Sequence, residues 1–103
     1  GLATGLLVDV ADLDGWEGVD TWARLDERPD SLGVVVTPRR GGRHIYVPAT
    51  GRGNRAHMAP GMDWRGQGGY VVAPPSTTPE GRYWWLKPLR IDLINSQAQT
   101  GEA

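Results

Sequence analysis

The 103-residue chain contains no cysteine. That excludes a disulfide framework and any thiolate metal site, and it leaves the redox compartment open. It has no apolar run long enough to span a bilayer and no charged-apolar-small pattern of a signal peptide. It also lacks an excess of either charge, with a net charge of −1. The distribution is uneven: residues 1–38 hold eight acids and two Arg, whereas residues 39–90 hold nine bases and only two acids, Asp63 and Glu80. Almost all of those bases are Arg, the side chain suited to bidentate phosphate contacts. His-rich zinc spacing, a P-loop, a GxGxxG turn after a strand and a nucleophile-elbow serine are all absent.

What is present reads as one domain with a modest core. Residues 5–11 form an expected first strand, with Leu7, Asp9 and Ala11 on one face and Leu6, Val8 and Val10 on the other. Asp14 is an expected helix cap with Glu17 as its capping-box partner. Trp16, Val19, Trp22 and Ala23 recur at helical spacing, which predicts an amphipathic helix over 15–27, closed by Arg28-Pro29, with Trp16 and Trp22 packed under the sheet. "GVVVTP" (33–38) and "HIYV" (44–47) flank the basic turn "RRGGR" and predict a hairpin in which His44 and Tyr46 share a face. Residues 48–62 read as a long loop that contains His57, an ordinary loop residue. "YVVA" (70–73) and "RYWWL" (82–86) are further strands, and 95–103 reads as a flexible polar tail. The order strand, helix, strands predicts an α+β domain with a mostly antiparallel sheet and a helix covering one face.

Three residues stand out chemically. Asp9 lies within a strand, where it either accepts backbone hydrogen bonds or serves a site. Asp63 lies in the Gly-rich stretch "GMDWRGQGGYVV", as an Asx turn or as a second site acid. His44 follows Arg39, Arg40 and a Gly-Gly turn, a setting that favours an anion such as phosphate. Paired carboxylates suit Mg²⁺ or Mn²⁺, and together with a phosphate-binding turn they suit metal-assisted phosphoryl transfer.

In order, "GLLVDVADLDG", "VVVTPRRGGRHIYV", "MAPGMDWRGQGGYVVAPPS" and "GRYWWL" resemble the primase–polymerase (Prim-Pol) domain of the archaeo-eukaryotic primase superfamily, found in bacteria, phages and plasmids. The resemblance spans residues 1–86. It implies the RRM-like catalytic half of such primases and divalent-metal-dependent nucleotidyl transfer on a nucleic-acid template. The family's first motif, two acids separated by one residue, has its first acid on Asp9. Its phosphate-binding His falls on His44, and its third metal-binding acid on Asp63. The resemblance thus implies Asp9 and Asp63 as ligands of Mg²⁺ or Mn²⁺, and His44 with Arg43 and Arg65 as the nucleotide-binding group. Asp9, His44 and Asp63 are then the catalytic set. The second acid of the first motif falls on residue 11, which is Ala, so the expected metal site lacks a carboxylate and the transfer activity is expected to be impaired. Asp12 is adjacent but points to the other face of a regular strand unless a bulge turns it back.

The implied partners are nucleoside triphosphates, a single-stranded DNA template and, as an open question, a helicase module, with no membrane. The implied location is the cytoplasm of a bacterial or phage-infected cell. Because the family carries a further α/β segment upstream, residues 1–94 are expected to be a partial catalytic domain. Two rival readings remain: a non-catalytic nucleotide- or nucleic-acid-binding remnant, and a metal-dependent phosphodiesterase.

Overall fold

Strand β2 (Val8–Leu13) is the centre of the structure, a computed structural model that describes residues 1–94. The polar tail expected over 95–103 lies outside the described residues. Around β2 are β1 (Leu2–Ala3), helix α1 (Gly15–Arg24), β3 (Gly33–Val36), β4 (Arg43–Pro48), β5 (Arg55–Ala59), β6 (Met62–Arg65), β7 (Tyr70–Val71), β8 (Thr77–Thr78), β9 (Gly81–Arg82) and β10 (Trp84–Lys87). Six strands form one antiparallel sheet in the order β10-β3-β4-β2-β6-β5. Two short pairs, β1 with β7 and β8 with β9, lie outside it. The described residues are therefore α+β, with a mostly antiparallel sheet and helix α1 in contact with β2 and β6; residues 91–94 are also helical. No helix among the described residues is long and apolar enough to cross a membrane.

Alternation along the strands gives the sheet two distinct faces. Ala11, Leu13, Val34, Ile45, Val47, Met62 and Trp64 form one buried cluster, and Val19 and Trp22 of α1 pack on it. Val8, Val10, Val35 and Tyr46 point the other way and join Leu32, Val71 and Ile94 in a second cluster. That second face is apolar only at one end. On the same face β2 and β4 also present Asp12 and His44, beside Asp63 and Arg65 of β6.

Helix α1 ends at Arg24, three residues before the expected limit, because Leu25 turns extended and its N–H closes on the Trp22 carbonyl. The helix sits close against the β5–β6 turn. A Cβ on Gly18 would lie 2.3 Å from the Gly61 carbonyl oxygen, so only glycine permits this backbone-on-backbone approach. Thr21 Oγ1 donates to the Pro60 carbonyl at 2.6 Å and fixes the same turn. Trp22 is core as expected, but Trp16 is 58% exposed, with the Arg43 guanidinium 5.6 Å from its ring centroid. Asp14 occupies the N-cap without making a side-chain cap bond, because its carboxylate accepts from Arg39 instead.

Two other expectations change. The first strand runs to Leu13 rather than Ala11, which carries Asp12 onto the regular ladder opposite both His44 and Asp63. The expected 48–62 loop contains the edge strand β5, which pairs with β6 across a register shift between Arg55 and Ala59. Its residues are largely exposed, so no alternation of apolar side chains marks it in the sequence.

Candidate active site

Three neighbouring strands place His44, Asp12 and Asp63 in a row. Asp12 on β2 is directly opposite His44 on β4 and directly opposite Asp63 on β6. Residues opposed in an antiparallel ladder share a face, so all three side chains leave the sheet on the side away from α1. Arg65 shares that face, two residues beyond Asp63.

The contacts within the row are electrostatic. His44 Nε2 lies 3.3 Å from Asp12 Oδ1, and the Arg65 guanidinium lies 3.7 Å from Asp12 Oδ2 and 3.8 Å from Asp63 Oδ2. Burial alone would raise the Asp12 pKa. The hydrogen bond and charge of His44, followed by the charge of Arg65, outweigh that and hold its carboxyl below the ordinary value. Asp63 Oδ1 accepts the backbone N–H of His57 at 2.8 Å. His57 itself has a left-handed φ of 51°, so the register shift of β5 aims an amide at the acid. The sequence reading made His57 an ordinary loop residue; its backbone instead anchors Asp63.

Two clefts adjoin this row. One, of about 250 Å³, is lined by Asp12, Asp14, Asp63 and Glu80 together with Arg39, His44 and Tyr83. The other, of about 370 Å³, contains Arg65, Asn54, Gly68, Gly69 and Tyr70. Asp12, His44 and Tyr83 belong to both and form the wall between them. The Tyr83 ring centroid is 6.0 Å from that of His44. Burial, and then the negative charges of Glu80 and Asp12, raise the Tyr83 phenol above its ordinary value.

The structure does not bring Asp9 to this row. Asp9 is 0% exposed and lies on the helix-side face. Its Oδ2 accepts from the Thr50 amide at 3.1 Å, from Thr50 Oγ1, and from Trp64 Nε1 at 3.0 Å. Asp9 and Asp63 therefore point to opposite sides of the sheet. The physical reason is the period of two: Asp9 is three residues from Asp12, so one of the two must face away. Ala11, also 0% exposed, packs in the helix-side core, and no position in the cleft is emptied by its methyl group. Arg43 is a further correction. It neighbours His44 in β4, and its guanidinium lies over Trp16 rather than in the cleft. Arg39, from the same basic turn, lines the cleft instead.

Asp12 was reached only as an alternative that needed a bulge, and Asp14 only as a helix cap. "ADLDG" carries two acids separated by one residue, just before Gly15, and both line the same cleft. The first motif was instead set on Asp9 and Ala11, where its second acid is absent, because the strand was expected to end at residue 11; β2 in fact extends to Leu13.

The donor set fits a hard divalent cation. Among the described residues no three His, Cys, Asp or Glu side chains are gathered as a ready-made metal cage. Mg²⁺ does not require one, since it is commonly held by one or two carboxylates together with substrate phosphates and water. Asp12 and Asp63 supply such a pair, and the single guanidinium between them shows that their shared field attracts positive charge.

A family model described as bifunctional DNA primase/polymerase, N-terminal (Prim-Pol) matches residues 1–97. No curated protein and no solved structure matches the chain.

Proposed function

The chain belongs to the Prim-Pol family of bifunctional DNA primase/polymerases, and from that premise we propose that the Asp12–His44–Asp63 row is its nucleotidyl-transfer site. Family membership gives a primase/polymerase type of function, with nucleotides and DNA as the substrate classes. The observation that supports the finer assignment is the ladder register, which sets the two acids on either side of one strand pair and His44 on the next.

In this reading Asp12 and Asp63 hold Mg²⁺ or Mn²⁺, with Asp14 nearby on the same cleft. The ion, when bound, supplies Lewis-acid polarisation of the α-phosphate and lowers the pKa of the attacking hydroxyl. His44, oriented by Asp12, donates to a phosphate oxygen. Arg39 and Arg65, which pair with the carboxylates of Asp14 and of Asp12 and Asp63, exchange those partners for phosphate oxygens in this reading. The 3′-hydroxyl of the growing strand attacks the α-phosphorus in line, the bond to the bridging oxygen breaks, and pyrophosphate leaves. Most of the protein's contribution is position and charge neutralisation.

Primer extension with Mg²⁺ or Mn²⁺ tests the assignment. Asp12→Asn and Asp63→Asn should each lower transfer at least about 10²–10³-fold, the scale of a lost transition-state charge contact, with folding intact. His44→Ala should weaken nucleoside triphosphate binding, whereas His57→Ala, which keeps the backbone amide, should not. Transfer at the wild-type rate in Asp12→Asn would remove the site from this row. Triphosphate binding without transfer by the wild-type chain would favour a non-catalytic binding module, and cleavage of a phosphodiester without nucleotide addition a phosphodiesterase.

A further inference from the structure

A third groove, of about 650 Å³, lies beside the acidic cleft and takes no part in the transfer described above. Its lining is Thr37, Pro38, Glu80, Gly81, Arg82 and Trp84, and it shares Thr37, Pro38 and Glu80 with the acidic cleft. The two are therefore one continuous depression. Along residues 82–84 the side chains divide between them: Tyr83 faces His44 and the acidic cleft, while its neighbours Arg82 and Trp84 face the outer groove.

Trp84 is the unusual member. An indole is the largest apolar side chain available, yet this one is 47% exposed and joins neither hydrophobic cluster. Its backbone is fixed by pairing with Val36 in the sheet, so the ring stands on a rigid support. The opposite wall is rigid as well. A Cβ on Gly81 would come within 3.2 Å of Pro38 Cβ, so the β8–β9 hairpin is seated directly on Pro38. Beyond Pro38 the chain continues into Arg39 and Arg40, and Arg82 lies two residues before the indole. Of these only Arg82 lines the groove, together with one acid, Glu80; Arg39 lines the acidic cleft, where it pairs with Asp14.

A flat aromatic face beside one guanidinium group, open to solvent and continuous with the proposed transfer cleft, matches the chemistry of unpaired nucleic acid: a base to stack and a phosphate to pair. We propose that this groove holds single-stranded DNA, with one unstacked base on Trp84 and its phosphate on Arg82, and that the strand enters the acidic cleft along Thr37 and Pro38. The proposal rests on reading the acidic cleft as the transfer site, and the two fail separately in the experiment below.

Fluorescence anisotropy of a labelled oligo(dT), titrated with the full chain at several salt concentrations, is the test. Trp84→Leu keeps apolar bulk but has no π-face and should weaken binding about tenfold, whereas Trp84→Phe should retain most of the affinity. Arg82→Ala should weaken binding and reduce the salt slope by about one. Asp12→Asn should bind oligo(dT) as the wild type does while losing transfer. If Trp84→Leu and Arg82→Ala both bind like the wild type, the groove is not a DNA subsite. If Trp84→Leu instead turns a dimer into a monomer with oligo(dT) binding unchanged, a second copy covers the groove and the proposal falls. If Asp12→Asn keeps transfer while Trp84→Leu loses oligo(dT), the groove stands and the catalytic assignment falls.

Discussion

Asp9 and Asp12 lie three residues apart on one strand, and their carboxylates meet opposite surroundings. Asp9 is sealed on the helix side, where fixed donors from Thr50 and Trp64 converge on one of its oxygens. Asp12 opens on the other side between His44 and Arg65, whose guanidinium also serves Asp63. A carboxylate held by backbone and indole donors from two segments acts as a clamp, because those donors cannot leave without unfolding. A carboxylate held by side-chain cations can exchange them for another cation. The difference lies in what surrounds each acid, since the residue type is the same.

The sharpest way to break this contrast is to put a third acid on the sealed side. Ala11→Asp repairs the first motif if residue 11 belongs to the site. In this structure it buries an uncompensated charge in the helix-side core and should cost about 4 kcal/mol or more, measured by urea denaturation. A gain in divalent-metal binding without loss of stability would reverse the assignment of faces. Next in size is Asp9→Ala, which leaves the Thr50 and Trp64 donors without their acceptor and should cost about 3 kcal/mol. Transfer per folded molecule should be largely preserved in Asp9→Ala, and primer extension at low temperature would show whether it is.

These substitutions bear on what was legible beforehand. Strand alternation already placed Asp9 with Ala11, and His44 with Tyr46, and both pairings hold. The β3–β4 hairpin, the covering helix and Trp22 in the core were equally plain, because apolar periodicity marks them directly. The strand limit was not. The one intact acid-x-acid spacing in "DVADLDG" is Asp12-Leu13-Asp14, but ending the strand at Ala11 left it outside; burial of Leu13 accompanies the extension of β2 to that residue. Strand β5 was hidden because it is an exposed edge held by backbone bonds, which leave no hydrophobic signature. Trp16 was misplaced because its helical spacing suits the core, whereas its ring packs outward against Gly41 and Arg43.

The smallest effect sharpens the comparison through pH. The Asp12 carboxyl is held below its ordinary value of 3.8, so it contributes stability that is present above that value and is lost as pH falls through the lower, folded one. Asp12→Asn should therefore flatten the acid limb of the stability–pH profile below about pH 4, by roughly 1 kcal/mol or less for a partly exposed pair. Thermal melts at closely spaced pH values would show it. An acid limb identical to the wild type would mean that His44 and Arg65 do not hold the Asp12 charge in solution.

The most direct test is Mn²⁺ binding in the presence of a nucleoside triphosphate, followed by electron paramagnetic resonance on folded Asp9→Asn and Asp12→Asn proteins. Loss of at least about tenfold in Mn²⁺ affinity in Asp12→Asn, with Asp9→Asn unchanged, is the result expected for a site on the open face. Wild-type affinity in Asp12→Asn together with loss in Asp9→Asn would contradict it and return the metal to the sealed side of the sheet.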